Sequence, residues 1–257
     1  MLKRLVAALA ISGFALTGCG QEKAPEQAAA PTESRKLTIA TEAAYPPFND
    51  TTADGKIVGF DIDVINAICQ EIKAECEIVA QDWDGLIPNL MQNRYDAIIA
   101  GMSITPERQA QVDFSEPYFS NTMVWLAKND GSFDPNNIKN LVLGGQRSTT
   151  GAAYITEKYD GKDGNRVQLY DTYTNAYLDM KSDRNQAVMA EKVSALEWLK
   201  QNDNQGFGLV GDEIDNNDNL GIAVRKGDAL KAEFDAALAA IKANGKLAEI
   251  EKTHFGN

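Results

Sequence analysis

From Lys36 onward, short apolar runs alternate with segments whose apolar residues recur at helical spacing, and that alternation restricts the chain to a layered α/β architecture. KLTIA (36–40) reads as a strand. It runs into TEAAYPPFND, where Pro46 and Pro47 oppose regular pairing, so an irregular loop is expected. After Phe60, DIDVINAICQEIK sets Ile62, Ile65, Ile68, Cys69 and Ile72 on one helical face. CEIVAQ is the next strand, and Asp82, Trp83 and Asp84 form a loop. Leu86, Ile87, Leu90 and Met91 mark a helix that tolerates Pro88 only in its first turn. YDAIIAG is an unbroken apolar run, as in a strand covered on both faces.

A second set follows Phe119. TMVWLAK and LVLGG are strands, TTGAAYITEKY a helix, VQLY a strand, NAYLDMKSD a helix, QAVMAE a strand and SALEWLKQ a helix. LGIAVRKG is a late strand. Leu230, Phe234, Leu238 and Ile241 then mark a long amphipathic helix, with a short one ending at Phe255. Two similar α/β sets with a strand and helices left over imply two lobes joined by two crossings: residues 36–120 with 215–257, and residues 121–214. Ligands of such sheets sit beyond the carboxyl ends of strands. Glu42, Trp83, Ser103, Thr149 and Glu191 fall there, each just after an apolar strand.

Ahead of this unit, MLKRLVAALAISGFALTGCG carries Lys3 and Arg4, an apolar stretch from Leu5 to Leu16 and then small residues, the form of an export signal over residues 1–18. Leu16-Thr17-Gly18-Cys19 resembles a bacterial lipobox, in which the cysteine becomes the lipidated N-terminus; the plain alternative is a signal with an incidental cysteine. Residues 19–35 contain Pro25 and Pro31 and no large apolar side chain, which fits a tether. Removing Lys3 and Arg4 with the leader takes the formal net charge from −12 to −14. Nucleic acid and anionic lipid are therefore unsuitable main partners, whereas a cationic ligand is compatible. With His254 as the single histidine, neither a Ser-His-Asp triad nor a His-rich zinc site is available, and neither cofactor nor metal is expected.

Cys69 and Cys76 remain, either as a disulfide or as two buried thiols. On one continuous helix they would lie about 10 Å apart. Pairing therefore requires the helix to end and the chain to turn back near Lys73-Ala74-Glu75.

In AGMSITPERQAQVDFSEPYFSN (100–121), Ser103 and Arg108 follow an apolar strand, and the chain turns aromatic again at Phe114, Tyr118 and Phe119. An arginine so placed needs a partner. Apart from Asp113, the local sequence offers it no suitably spaced acid, which points to an anion supplied from outside the chain.

YPPF, GFDIDV, WDGLIPNL, DAIIAGMSITPERQAQVDFSEPY, GGQRSTT and LGIAVRKGD, in this order over residues 36–257, resemble the polar amino-acid-binding proteins of bacterial ABC importers (extracellular solute-binding protein family 3), especially lysine/arginine/ornithine, histidine and arginine binders. The resemblance implies a type II periplasmic-binding-protein-like fold, whose two lobes close on one amino acid without catalysis. It implies a disulfide at Cys69 and Cys76, and it assigns Arg108 to the ligand α-carboxylate, where a planar fork suits two parallel hydrogen bonds. Ser103 would supply a hydroxyl and Gly101 a carbonyl for the ammonium. Ser148, Thr149 and Thr150 precede a helix and are placed to meet an anion, with Ser148 equally suited to capping. Relatives usually carry glycine at the position of Ser148. Glu191 stands where they present aspartate to the α-ammonium. Tyr45 and Trp83 would stack on the ligand side chain. Glu42 would neutralise a cationic tail, and EAAYPPF with Ala100 follows the arginine-binder pattern, giving arginine first, then ornithine or lysine, then histidine, with glutamine as the neutral alternative.

The implied partners are thus a basic L-amino acid, an ABC permease in the cytoplasmic membrane and the membrane itself through a lipid anchor. The implied form is a periplasmic or cell-surface monomer. Two other readings are an enzyme resembling cyclohexadienyl dehydratases, in which the catalytic acid aligns with Ser194, and a binder that feeds a sensor.

Overall fold

The computed structural model describes residues 35–256; the expected signal (1–18), Cys19 and nearly all of the tether lie outside them. The first half comprises β1 (Arg35–Thr41), the short strands β2 (Ala44–Tyr45), β3 (Asn49–Thr51) and β4 (Ile57–Val58), then α1 (Phe60–Glu71), β5 (Ala74–Ala80), α2 (Leu86–Met91), β6 (Ala97–Ile98), α3 (Pro106–Gln109) and β7 (Val112–Phe114). The second comprises β8 (Phe119–Lys128), β9 (Val142–Gln146), α4 (Thr150–Tyr159), β10 (Arg166–Tyr170), α5 (Tyr173–Lys181), β11 (Ala187–Glu191), α6 (Lys192–Leu199) and β12 (Phe207–Leu220). The chain then returns through β13 (Ala223–Arg225), α7 (Leu230–Ala243) and α8 (Lys246–Phe255).

These elements form two five-stranded sheets with orders β5-β1-β6-β13-β7 and β10-β9-β11-β8-β12. In each, the strands joined through helices pair in parallel, and antiparallel strands complete one side. Two crossings connect the lobes, after β7 and after β12, and they bond to each other. Ser115 N–H donates to the Ile222 carbonyl (2.9 Å), Ile222 N–H to Ser115 Oγ (3.0 Å) and Tyr118 N–H to the Leu220 carbonyl (3.0 Å). Residues 120 and 215 lie within β8 and β12, whose mutual pairing continues to Leu220 with Phe119.

Gly59 caps the start of helix α1 at a position where only glycine fits. Its φ is 134°, and a Cβ would stand 2.3 Å from the Phe48 carbonyl oxygen. Ile62, Ile65, Ile68 and Cys69 are buried on the face anticipated from their spacing. The helix ends at Glu71, Lys73 takes a left-handed φ of 55°, and β5 starts at Ala74. This reversal brings the Cys69 and Cys76 Cα atoms to 6.2 Å, joined by a disulfide. Phe48, Phe60, Phe119 and Phe255 meet at the lobe junction, with ring centroids 4.8 Å apart for Phe60–Phe255 and 5.5 Å for Phe48–Phe119, so α8 is held against the crossing.

Three local expectations need correction. TEAAYPPFND is not wholly irregular: β2 and β3 flank the prolines, which occupy the connection, and pair with β4 in a small sheet. LGIAVRKG is divided between the end of β12 and β13. Trp83 begins a 3-10 turn (Trp83–Gly85) that leads directly into α2, because Asp82 and Gly85 close it with a main-chain hydrogen bond of 2.9 Å.

Candidate functional site

Arg108 is aimed by a short cap. Thr105 Oγ accepts from Arg108 N–H (3.2 Å) and Pro106 occupies the first helical position, so α3 starts sharply and returns its arginine toward the preceding strand. The guanidinium donates to the Ser103 carbonyl (2.8 Å) and to the Ser148 carbonyl in the other lobe (2.9 Å), and lies 5.2 Å from the Trp83 ring centroid. It is 9% exposed, and burial lowers its pKa. No carboxylate forms an ion pair with it among the described residues. Asp113 instead binds Lys226 Nζ (2.9 Å) and Gly227 N–H (2.7 Å), which removes it as the arginine's partner. Ser103 itself is fastened to the return crossing, with Ile104 N–H donating to the Asn219 carbonyl (2.8 Å) and Gly221 N–H to the Met102 carbonyl (3.0 Å).

A cavity between the lobes gathers Glu42, Tyr45, Trp83, Gly101, Ser103 and Arg108 from the first sheet's loops with Gln146, Thr149, Tyr173 and Glu191 from the second. Eight of the nine residues anticipated as ligand-binding therefore share one lining. The ninth, Thr150, lines an adjoining groove between α3 and α4 instead, because it is the first residue of α4 and its hydroxyl is buried without a partner. Thr149, not Ser148, caps α4: its Oγ accepts from Ala152 N–H (3.1 Å) and donates to the Gln146 carbonyl (2.7 Å). Ser148 has φ 59°, a left-handed conformation that glycine adopts more readily than serine.

Beside the Arg108 bond to the Ser148 carbonyl, two bonds between side chains cross the cavity among the described residues. Tyr45 Oη donates to Glu191 Oε2 (2.8 Å), and Gln146 Nε2 donates to Glu42 Oε1 (2.6 Å). Burial pushes the Glu42 carboxyl up to about 7, partly offset by the Gln146 donor. Glu191 is likewise raised, first by burial and then by the charge of Asp218, a 3%-exposed acid at the end of β12. Asp218 is raised by burial and held back by the Ser103 hydroxyl and the Arg108 charge. The lining thus offers one fixed cation and two carboxylates, with Tyr45 stacked between Phe48 (5.3 Å) and Tyr173 (5.7 Å).

Behind this lining, Asp61 ties two loops together. Its Oδ2 accepts from Asn49 Nδ2 (2.8 Å) and from Gly101 N–H (2.7 Å), and its Oδ1 from Tyr118 Oη (2.7 Å), while Asn49 Oδ1 accepts from Ala43 N–H (2.8 Å). Ala43 (φ 59°) and Gly101 (φ 56°) both hold left-handed conformations beside the cavity. Burial raises the Asp61 carboxyl to about 6 against these three donors.

Sequence reasoning missed Gln146, Tyr173 and Asp218. Gln146 ends strand β9 and was accessible to the same rule that found Thr149; Tyr173 opens α5, and Asp218 sits in a strand whose polar sequence conceals it.

The chain is similar to known proteins over most of its length. An Escherichia coli protein described as putative ABC transporter arginine-binding protein 2 is 36% identical over 260 residues, covering 99% of each chain. The L-arginine-binding protein of Pseudomonas aeruginosa is 37% identical over 229 residues, covering 86% of this chain and 88% of its own. Among solved structures, an ancestral arginine-binding protein bound to arginine superposes with a TM-score of 0.80 at 37% identity, covering 86% of this chain and 98% of its own. Residues 37–257 match a single family across both lobes, and the chain belongs to the bacterial extracellular solute-binding proteins, family 3.

Proposed function

We propose that this protein is the extracytoplasmic receptor of an ABC amino-acid importer and captures a basic L-amino acid, arginine before ornithine or lysine and then histidine. The observation that carries this reading is the placement of Arg108 and Glu191, from opposite lobes, in one lining with Glu42. Arg108 takes the α-carboxylate with Ser103, and Glu191 takes the α-ammonium with the Gly101 carbonyl. Glu42 meets the distal cation between the aromatic faces of Tyr45 and Trp83. Thr149 shapes the carboxylate end through the α4 cap, and Thr150 completes it from the adjoining groove.

Ligand contacts to both lobes are what shift the protein toward closure, since a ligand moves an equilibrium only by its differential affinity for the two states. The relatives named for arginine binding support the choice of ligand. Delivery of the closed form to a membrane permease, anchoring through Cys19 and action as a monomer belong to the same proposal, the anchor resting on Leu16-Thr17-Gly18-Cys19. No catalytic step is proposed: Ser194, at the position of the dehydratase acid, carries a hydroxyl and no carboxyl.

Calorimetry of residues 20–257, stripped by unfolding and refolding and titrated with the common amino acids and ornithine, tests the reading. Arginine is expected to bind tightest, and Arg108→Ala to abolish detectable binding while the protein remains folded by circular dichroism. Near-normal affinity in that variant removes the α-carboxylate assignment. Silence toward every amino acid, with turnover of prephenate or arogenate, restores the enzyme.

A further inference from the structure

We propose that Asp218 is a positioning residue for the α-amino-acid end of the site: it is the internal counter-charge of Arg108 until the ligand carboxylate arrives, and it then takes up a proton from solvent, so that capture of the amino acid is proton-coupled. The inference rests on the reading of Arg108 and Glu191 as partners of the α-carboxylate and the α-ammonium.

Asp218 lies in β12, on the return crossing, two residues before Leu220, which bridges to Ser103. It is 3% exposed, and neither carboxylate oxygen has a donor among the described residues. The Ser103 hydroxyl is near enough to favour its ionised form but stands outside hydrogen-bonding geometry. Directly opposite in β8 is Asn121, whose Oδ1 accepts from Thr122 N–H (3.0 Å) and whose buried Nδ2 is unpartnered. Two residues back along β12, Asn216 Oδ1 is a further buried acceptor without a donor. The crossing therefore holds more orphan acceptors than orphan donors, and a proton on Asp218 reduces that deficit.

The charged and titratable groups that face Asp218 come from three other parts of the fold: Arg108 on α3, Glu191 at the end of β11, and Tyr118 just ahead of β8, whose hydroxyl is given to Asp61. Asp218 is the largest charge favouring the ionised Arg108 against its burial, and after burial it is the largest influence against the ionised Glu191. Without a ligand, one cation serves two acids. The bound amino acid changes that balance. Its carboxylate pairs with Arg108 and cancels the charge that supports Asp218, while its ammonium pairs with Glu191 and keeps that acid ionised. Asp218 is left desolvated with no cation of its own, and the protonated form is the least costly state for an acid so placed. Glu191 cannot take the proton instead without giving up the ammonium.

Calorimetric titration with arginine between about pH 5 and pH 8, in buffers of different ionisation enthalpy, counts the protons exchanged on binding. Wild type is expected to take up about half a proton or more at its maximum, and its arginine affinity to fall as pH rises through that region, by up to about ten-fold per unit, because the complex holds more protons than the free protein. Asp218→Asn mimics the protonated acid, and it is expected to remove this uptake and flatten the affinity profile while arginine still binds. Asp218→Ser serves as a second variant of different size, and thermal denaturation verifies the folding of both. A merely structural Asp218 would alter affinity in the variants without altering the proton count. If arginine binds and wild type takes up no proton anywhere in the range, or the variants keep the wild-type count, the proton coupling is wrong while the receptor stands. If wild type binds no amino acid, the assignment of Arg108 and Glu191 fails and the coupling with it.

Discussion

If Glu42 meets the ligand's distal cation, as proposed, the closed site discriminates by charge, and protonation of Glu42 makes that discrimination depend on pH. Replacing arginine by citrulline, which exchanges the guanidinium for a neutral urea of nearly the same shape, isolates the effect. Without a cation, the closed site holds the Glu42 carboxyl near 7 against an ordinary 4.5, because it is 9% exposed and desolvated. A raised carboxyl binds its proton more readily when buried. Closure over a neutral ligand is therefore least penalised below pH 4.5 and costs most above pH 7, where the penalty approaches about 3 kcal/mol. Arginine supplies the missing charge and keeps the carboxylate ionised, so it escapes that cost. The ratio of arginine to citrulline affinity is then expected to rise with pH through this window and level off above 7, falling about twenty-fold on going from pH 7.5 to pH 5.5. Competition calorimetry of the two ligands across that range measures it, with Glu42→Gln as the variant whose ratio stays flat. A ratio independent of pH in wild type would place the Glu42 charge away from the ligand tail and refute the reasoning.

Two further outcomes test the scaffold behind the site. Asp61→Ala strands the buried Gly101 N–H, Asn49 amide and Tyr118 hydroxyl, and is expected to lower stability by about 3 kcal/mol or more and to weaken arginine at least ten-fold. Asp61→Asn should recover most of both, since its oxygen can take the Gly101 and Asn49 donors while its amide donates to Tyr118; equal damage in the two variants would overturn the tie between the loops. Replacing Cys69 and Cys76 together by serine opens a short loop worth about 2 kcal/mol, a fall in Tm of about 4–8 °C, with arginine affinity unchanged, because the bridge lies between α1 and β5, outside the cavity lining. A calorimetric scan and one titration check it, and an altered affinity would show that the bridge also supports the site.

Much of this fold was legible because its information is local. The isoleucine spacing of α1, the unbroken run ending at Ala100 and the alternation of helix and strand each report burial on a known face. Strand β12 was not legible for the opposite reason. Its DEIDNND segment has no alternating apolar face, since two register shifts break the pairing with β8 and its polar residues face solvent or the crossing. The site divides in the same way. Arg108, Glu191 and Thr149 stand at strand ends or within capped turns that sequence marks, so their positions followed from local rules together with family resemblance. Gln146 was passed over because its importance depends on Glu42, 104 residues away and in the other lobe, and a bond of that separation leaves no periodic trace.

The same distance is why the proposed recognition would be coupled to closure. Each of the three bonds that span the cavity, Tyr45 to Glu191, Gln146 to Glu42 and Arg108 to the Ser148 carbonyl, ends on a residue assigned to the ligand or directly beside one. In the open form these groups return to water, where a tyrosine hydroxyl or an arginine gains nearly as much from solvent as from its partner. The bonds alone therefore add little to closure, and burying Glu42 and Glu191 opposes it. On the proposed reading, what tips the balance is a ligand whose ammonium and cationic tail neutralise those two acids while its carboxylate occupies Arg108. A neutral amino acid would satisfy one acid and leave the other buried without a counter-charge, so on this reading closure over it is disfavoured.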